Sequence, residues 1–320
     1  MDVTPNDSRL VSMLETMMLI RAYEQTLVEL HAAGNFPGTC TSVGQEAAAV
    51  GVVHALARSD LILTNHRSAG HLLARGADPG RVFAEVMGRA TGYCRGKSGS
   101  LHISAKDLGV ILTSTIVGGE LSLATGAALS QTMGGGDGIV ACFFGDGAAC
   151  EGVFHESLNL AAVWELPILY VCENNQWQAF VHRRETMPID HVSTWAAAHG
   201  MEALTVDGND VEAVYAAATR AVAAIRTTGK PFFLETYTYR MRGHFEPDDQ
   251  AYVDPQELAA WREKDPINCL RERLFARQAI DAAALVRMER RVAEAIEQGL
   301  SFAKASPFPE LAELATDVYA

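Results

Sequence analysis

The chain has 320 residues, 48% of them hydrophobic, and a formal net charge of −13 at pH 7. This negative balance repels the phosphates of nucleic acids and anionic lipid headgroups, so we expect neither nucleic acid nor a membrane as a partner. No apolar run approaches the roughly 18 residues that a membrane span needs, and the first ten residues lack the basic-then-apolar pattern of a secretion signal. These features predict a cytoplasmic protein, and the length predicts one large α/β domain over residues 1–320 with terminal extensions.

The first part of the chain is predicted to be mainly helical. Apolar residues at helical spacing predict an N-terminal docking helix over about 8–33, ended by Gly34 and Pro37. We then expect a helix at 45–57, a strand at 61–64, a polar turn at 65–68, a helix at 79–87, an irregular stretch rich in glycine and serine at 88–104, irregular or weakly extended chain at 108–115, and an alanine-rich helix that ends near 134.

The second part alternates strands with helices. We expect strands at 139–144, 168–172, 201–206 and 231–239, with helices from near 149 and at 211–226 between them. Residues 241–255 are typical of a loop, and helices at 256–276 and 281–303 form a C-terminal helical tail over about 255–320. The alternation predicts an α/β fold with a mostly parallel sheet and helices on both faces.

Two predicted strands end in polar motifs that carry chemistry. The first ends at Gly-Asp-Gly (145–147) and the second at Glu-Asn-Asn (173–175), and parallel strands bring both ends to one edge of the sheet. Glycines beside Asp146 are expected to permit the turn and close approach of a ligand, and the following helix aims its amide groups at an anion. An aspartate in an anion site needs a bridging cation, and Asp146 with the Asn175 oxygen suits Mg²⁺ or Ca²⁺.

Two other nucleotide motifs match poorly. Gly145-x-Gly147 resembles the start of a dinucleotide fingerprint, but the third glycine position is Cys150 and an acid stands in the middle. The stretch 92–98 resembles a Walker loop but is one residue short and follows no strand. A metal-bridged diphosphate therefore remains the favoured ligand, against the alternative that both polar motifs are only loops.

Longer segments extend the match along nearly the whole chain. They are SVGQEAAAVG at 42–51, NHRSAGH at 65–71, GRATGYCRGKSGSLHIS at 88–104, TIVGG at 115–119, GDGAACEGVFHESLNLAAVWELP at 145–167 and RGHFEPDDQAY at 242–252. With these segments the chain resembles the alpha subunit of the thiamine diphosphate-dependent E1 component of 2-oxo acid and acetoin dehydrogenases. The resemblance implies the thiamine diphosphate-binding fold.

The resemblance also implies the metal and diphosphate contacts. Mg²⁺ would be held by Asp146, the side chain of Asn175 and the backbone carbonyl of Trp177. The amides of Gly147 and Ala148 would bind the diphosphate of the cofactor.

Four further residues take roles by the same resemblance. Arg67 and His244 would add phosphate contacts, His66 would lie beside the cofactor where many members have tyrosine, and Val117 would meet the aminopyrimidine through its backbone. His66 and His244 are the candidate catalytic residues.

Several positions depart from the family pattern. Ala69 replaces a histidine of many pyruvate and acetoin members, with His71 two residues later. Residues 113–115 replace a Gly-Asn-Gly, and residues 120–122 (Glu-Leu-Ser) replace a Gln-x-Pro, so we expect an unusual pocket roof. Phe245 replaces the serine that eukaryotic pyruvate members phosphorylate, and that control is not expected.

The implied activity is that of an E1 alpha subunit in an α₂β₂ enzyme. Such an enzyme cleaves a C–C bond of acetoin, or decarboxylates pyruvate or a related 2-oxo acid, and transfers the acyl unit to lipoyl-bearing E2. The activating glutamate would come from the beta subunit, so the chain alone is predicted to be inactive. Alternatives are a branched-chain 2-oxo acid dehydrogenase, another acyl-transferring or carboligating enzyme, and a non-catalytic paralogue that acts in assembly.

Overall fold

Six parallel strands form the central sheet of the computed structural model, which describes residues 5–34 and 38–317. The strand order is β2-β1-β3-β4-β8-β7, and β5 and β6 form a separate antiparallel hairpin. The strands are β1 (Leu61–Asn65), β2 (Val110–Ser114), β3 (Val140–Gly145), β4 (Ile168–Asn174), β5 (Trp177–Gln178), β6 (Val181–His182), β7 (Glu202–Asp207) and β8 (Phe232–Tyr237). The predicted parallel α/β sheet is confirmed.

Helices cover both faces of this sheet, as predicted. In the part of the chain that is described, no helix has both the length and the apolar character needed to cross a bilayer. The helices are α1 (Asp7–Ala32), α2 (Glu46–Val53), α3 (Ala69–Ala74), α4 (Pro79–Val86), α5 (Gly119–Met133), α6 (Asp146–Ala149), α7 (Gly152–Val163), α8 (Ser193–Ala198), α9 (Val211–Thr228), α10 (Pro255–Arg262), α11 (Pro266–Ala276) and α12 (Ala282–Ala305).

The strand β3 shows how one apolar sequence builds two cores. Successive side chains of a strand point to opposite faces. Ala141 and Phe143 therefore join the core beneath α1, α2, α9 and α12, while Val140, Cys142 and Phe144 join the core beneath α5, α7 and α8. Because both faces are covered, the central strands read as continuous apolar runs rather than alternating ones.

The N-terminal helix α1 is part of the first core. The Asn6 side chain caps it by accepting a hydrogen bond from the Arg9 amide at 2.9 Å. Leu10, Met13 and Met17 are fully buried in the core that also contains residues of α3, α11 and α12. The helix therefore docks on its own domain. Pro37, the predicted stop, lies outside the described residues.

The chain around Asp146 differs from the prediction. Helical chain begins at Asp146 itself, in the four-residue α6, and resumes at Gly152 in α7, so the predicted start near 149 is wrong. Gly145 has φ −93° and neither it nor Gly147 has a positive φ, so the turn does not require glycine. The strand β3 passes directly into the short helix, which places Asp146 at the end of the strand.

The predicted helix at 256–276 is two helices. Asp265 accepts hydrogen bonds from the amides of Ile267 and Asn268 at 3.0 and 3.1 Å, and thereby caps α11. Pro266 follows as the first helical residue, where its fixed φ and missing N–H are tolerated. This cap and proline separate α11 from α10. The predicted helix at 45–57 is also shorter and ends at Val53.

Other differences from the prediction concern short elements. Residues 110–114, predicted as irregular or weakly extended, form the edge strand β2 because they pair with β1. The short helices α3 and α8 and the β5–β6 hairpin were not predicted, since segments of two to six residues carry too little periodicity to be recognised. The loop predicted between β8 and α10 is confirmed.

Candidate active site

One cavity of about 340 Å³ lies at the carboxyl ends of β1, β3 and β4, where parallel α/β sheets bind their ligands. The sheet order brings these ends together, because β3 lies between β1 and β4. The lining includes all nine residues that were selected from the sequence, namely His66, Arg67, Val117, Asp146, Gly147, Ala148, Asn175, Trp177 and His244.

The floor of the cavity contains a buried carboxylate without partners. Asp146 is fully buried, and no donor among the described residues reaches either carboxylate oxygen with hydrogen-bond geometry. Burial raises the pKa of Asp146 from 3.8 to about 6, although the nearby backbone amides of Asp146 and Asn175 and the guanidinium groups of Arg183 and Arg240 act in the opposite direction. A carboxylate in this position is stabilised by a cation that binds both oxygens.

The Asn175 amide is held in place beside this floor. Its Nδ2 donates to Gln45 Oε1 at 3.0 Å, and its Oδ1 accepts from the Trp177 amide at 3.1 Å. The Oδ1 atom keeps a second lone pair for another ligand. Asn175, Trp177 and Asp146 thus offer amide, carbonyl and carboxylate oxygens, the donors that Mg²⁺ prefers.

A cluster of basic side chains forms one side of the cavity. Arg67 is 4% exposed and donates from Nη1 to Thr41 O at 2.5 Å and from Nη2 to His244 O at 2.8 Å. Arg67 Nη2 and Arg240 Nη1 also lie 3.2 and 3.5 Å from His244 Nδ1. Because guanidinium groups only donate, Nδ1 of His244 accepts and its Nε2 carries the proton. Burial and the two arginines lower the pKa of His244 to about 4, so the ring is neutral.

His66 lies next to this cluster. Its ring centroid is 6.0 Å from that of His244. Burial, and then the positive charges of Arg67 and Arg240, lower the pKa of His66 to about 3. His66 is therefore a neutral imidazole at physiological pH, able to donate through one nitrogen and accept through the other.

The cavity lining also combines apolar surface with an unexpected acid. Val117 is 53% exposed, and Gly118 precedes α5 as its N-cap with φ +78°, where an added Cβ would lie 2.9 Å from Val153 Cγ1. Two residues later, Glu120 is 2% exposed and its Oε2 has no hydrogen-bond partner among the described residues. Burial raises the pKa of Glu120 to about 7. The departure at 120–122 therefore adds a titratable group to the site.

His71 does not take the place of the histidine that Ala69 replaces. It is 1% exposed and is not part of the cavity lining. Its Nε2 lies 3.0 Å from Glu173 Oε1 and its Nδ1 lies 2.7 Å from Thr64 Oγ1. His71 therefore orients Glu173, which lines the cavity.

Several polar cavity residues were given no role from the sequence. Among them are Gln45, Glu120, Glu151, Glu173, Gln178 and Arg240. Glu173 and Arg240 follow or end strands of the sheet, so the strand-end rule could have assigned them to the site. Glu120 was noted only as a departure from the family pattern, and Gln45 and Glu151 lie at helix starts whose local sequence carries no sign of a ligand.

The chemistry of these residues fits a metal-bound diphosphate. The described residues contain no group of three or more His, Cys, Asp or Glu that could hold a metal by itself. A cation at Asp146 would therefore take amide and carbonyl oxygens and the oxygens of its ligand as well. Arg67, Arg240 and the Nε2–H of His244 supply charge and donors for an anion at the same place.

Comparison with known proteins identifies the family of the chain. The family model described as dehydrogenase E1 component matches residues 14–312. The chain is 43% identical over 309 residues to the alpha subunit of acetoin:2,6-dichlorophenolindophenol oxidoreductase of Bacillus subtilis (strain 168), which covers 96% of this chain and 92% of the relative. It is 36% identical over 304 residues to the alpha subunit of the pyruvate dehydrogenase E1 component of Rhizobium meliloti (strain 1021), with 94% and 87% covered.

A second acetoin:2,6-dichlorophenolindophenol oxidoreductase alpha subunit, from Cupriavidus necator, is 38% identical over 316 residues, with 97% of this chain and 94% of the relative covered. These relatives are oxidoreductases, and each match extends over most of both chains. The dehydrogenase E1 component family implies thiamine diphosphate as the cofactor and a beta subunit as the partner of the alpha subunit. This chain belongs to that family, as an alpha subunit.

Proposed function

We propose that this chain binds the diphosphate half of thiamine diphosphate through Mg²⁺, and that with a beta subunit it forms an α₂β₂ E1 enzyme acting on acetoin or a small 2-oxo acid. The single observation that carries the proposal is the fully buried Asp146 on the floor of the cavity, whose two carboxylate oxygens find no hydrogen-bond partner within residues 5–34 and 38–317. The predicted cytoplasmic location and the single-domain organisation of residues 1–320 stay predictions.

The metal half of the proposal uses three oxygen donors. Asp146, the Oδ1 of Asn175 and the backbone carbonyl of Trp177 would hold Mg²⁺, whose charge would offset that of the diphosphate. The amides of Gly147 and Ala148 belong to the first turn of α6, where no intrahelical acceptor is available to them, and they bind phosphate oxygens.

The basic side of the cavity completes the diphosphate contacts. Arg67 supplies charge, and His244 donates from its Nε2 because Nδ1 faces the arginines. Val117 contacts the aminopyrimidine through its backbone, and His66 lies beside the reacting end as a neutral donor or acceptor. Thiamine diphosphate, when bound, supplies the nucleophilic carbon and the electron sink for cleavage of a C–C bond next to a carbonyl.

We favour acetoin over pyruvate on charge. Besides the groups proposed to bind the diphosphate, the cavity lining contains the carboxyl groups of Glu120, Glu173 and the exposed Glu151 together with the apolar Val117. A carboxylate there repels an anionic 2-oxo acid but not an uncharged hydroxyketone. The relative from Bacillus subtilis is named for acetoin. An E2 protein with a lipoyl group accepts the acyl unit.

Initial rates test the proposal. The chain is assayed with thiamine diphosphate, Mg²⁺ and an artificial electron acceptor, alone and with its beta subunit, on acetoin, pyruvate and 3-methyl-2-oxobutanoate. We expect turnover only with the beta subunit, and fastest with acetoin. Comparable turnover by the chain alone would contradict the division of the site between subunits, and inactivity on all three substrates would overturn the proposed substrate range.

A further inference from the structure

A second, much smaller cavity lies on the other side of His66. Its volume is about 20 Å³, and its lining includes Tyr23 and Glu24 of α1 together with His66 and Ala69. His66 also lines the main cavity. The imidazole is thus part of the wall between the small cavity, which we name the side chamber, and the candidate active site.

Three polar atoms of the side-chamber residues are unpaired. Tyr23 OH, Glu24 Oε2 and His66 Nε2 are buried and have no hydrogen-bond partner among the described residues. Tyr23 and Glu24 are 0% and 1% exposed. Buried polar atoms are rarely left without a partner, because they lose their hydration on folding. Because the three residues that carry these atoms all line one cavity, we infer a shared polar occupant.

The size of the side chamber matches a single water molecule. A cavity needs about 10–15 Å³ to hold one water molecule, and the water needs two to four polar partners. The side chamber meets both conditions and is too small for an organic ligand. A water molecule can donate to Glu24 or His66 and accept from Tyr23 at the same time.

Glu24 is the group in this chamber that exchanges a proton near neutral pH. Burial raises its pKa to about 7, and Glu46 adds to this effect. The Ser42 amide and hydroxyl, which both donate to Glu24 Oε1 at 2.8 Å, and the charge of Arg21 act in the opposite direction.

The other charged and titratable neighbours of the chamber do not replace Glu24 as the group that exchanges a proton near neutral pH. Burial raises the pKa of Tyr23, so that its hydroxyl stays neutral and donates. His66 is neutral because burial and the positive groups around it lower its pKa. Arg67 lies close enough to Glu24 for their charges to interact, and it stays ionised. Cys40 also lines the chamber, and burial raises the pKa of its thiol.

We propose that Tyr23, Glu24 and His66 hold one water molecule, and that this group relays protons between Glu24 and the ligand in the main cavity. The inference rests on the proposed function for the identity of that ligand. A carbonyl substrate that gains or loses protons during C–C cleavage requires such an exchange partner.

The relay moves one proton and leaves His66 neutral. Protonated Glu24 gives its proton from Oε2 to the water, and the water passes one of its own protons to His66 Nε2. The other ring nitrogen of His66 releases its proton to an oxygen of the ligand. Glu24 becomes a carboxylate that keeps its two hydrogen bonds from Ser42, and the reverse sequence restores it.

A crystal structure of the chain with its beta subunit tests the water site directly. We expect an ordered water within about 2.6–3.2 Å of Tyr23 OH, Glu24 Oε2 and His66 Nε2. A chamber closed by a protein side chain, or one in which these atoms pair with one another, would overturn the proposal. The Tyr23→Phe variant should lose or displace this water while it keeps the fold.

Infrared titration of the same complex without cofactor tests the proton store. Protonated carboxyl absorption should disappear with a midpoint near pH 7, with Glu24 and Glu120 both contributing, and Glu24→Gln should remove the share of that band that belongs to Glu24. Glu46→Gln is the matched control, because it changes a neighbouring buried carboxylate outside the chamber; the band should remain and titrate at lower pH. An identical band in Glu24→Gln and the unchanged complex would refute the role of Glu24.

Kinetics connect the chamber to the reaction. Glu24→Gln should lower kcat about 100-fold with KM changed less than twofold, as expected for loss of a proton-transfer group rather than of substrate binding. An unchanged kcat would overturn the relay. If the unchanged complex turned over none of the three substrates, the proposed function would fail, whereas the water and the carboxyl band would still decide the chamber.

Discussion

The ionisation of Asp146 makes the strongest prediction about the chain without cofactor. Burial raises its pKa from 3.8 to about 6, and a pKa unit is worth about 1.4 kcal/mol, so the buried carboxylate costs the folded state roughly 3 kcal/mol well above pH 6. The folded state binds the proton more tightly than the unfolded state, so stability falls as pH rises from about 4 to 6. Asp146→Asn removes this titration. Between pH 4.5 and 7.5 the free energy of unfolding of the variant should therefore rise by about 2 kcal/mol relative to that of the unchanged chain.

Urea denaturation of the purified chain measures this difference. The variant and the unchanged chain are compared at pH 4.5 and 7.5 without cofactor or divalent cation, so that any packing effect of the amide cancels between the two pH values. The variant should gain stability relative to the unchanged chain as pH rises. Parallel pH dependence in the two proteins would refute the assignment of a raised pKa to Asp146 and weaken the metal-site argument that depends on it.

The other predictions concern the scaffold and the basic cluster. Asp60 is fully buried and pairs with Arg226 at 2.7 Å. Asp60→Ala should therefore lower the free energy of unfolding, measured by urea denaturation, by about 3 kcal/mol. Glu202→Ala breaks an exposed pair and should lower it by less than about 1 kcal/mol, so equal losses in the two variants would contradict this prediction. The Glu85 carboxylate accepts hydrogen bonds from three backbone amides of the loop at 88–104, at 2.7 to 3.0 Å. Glu85→Ala should therefore make that loop more susceptible to cleavage by trypsin. Unchanged cleavage would show that other contacts hold the loop. Binding of the diphosphate should raise the low pKa of His244, whereas cation binding releases the proton of Asp146. In calorimetry at pH 5 to 6 with buffers of different ionisation enthalpy, the unchanged complex should therefore take up more protons, or release fewer, than His244→Asn; an identical proton balance in the two would contradict the contact.

The sequence was sufficient for the parts of the fold that depend on long apolar patterns. The strands around Phe143 and Val171 are buried on both faces, so their continuous apolar runs could be read directly. Once the sheet was known to be parallel, the ends of those strands had to meet at one edge, which placed Asp146 and Asn175 together. Both residues line the same cavity in the structure.

Features that depend on tertiary contacts could not be predicted in this way. The strand β2 forms because it pairs with β1, and its own sequence gave only a weak signal. Glu24 and Glu120 look like ordinary helix residues in the sequence, since helices favour glutamate. Their importance comes from burial, which raises their pKa values and which only the packed structure defines. Arg240 likewise gains its role from its contact with His244, which lies across a loop.

Calorimetric titration of thiamine diphosphate into the complex of this chain with its beta subunit, with Mg²⁺ and then with a chelator present, tests the metal-dependent cofactor site directly. We expect one cofactor bound per pair of subunits, with binding that requires the divalent cation and is lost in Asn175→Ala. Binding that persists unchanged in the chelator or in Asn175→Ala, or no binding to the unchanged complex, would contradict this expectation.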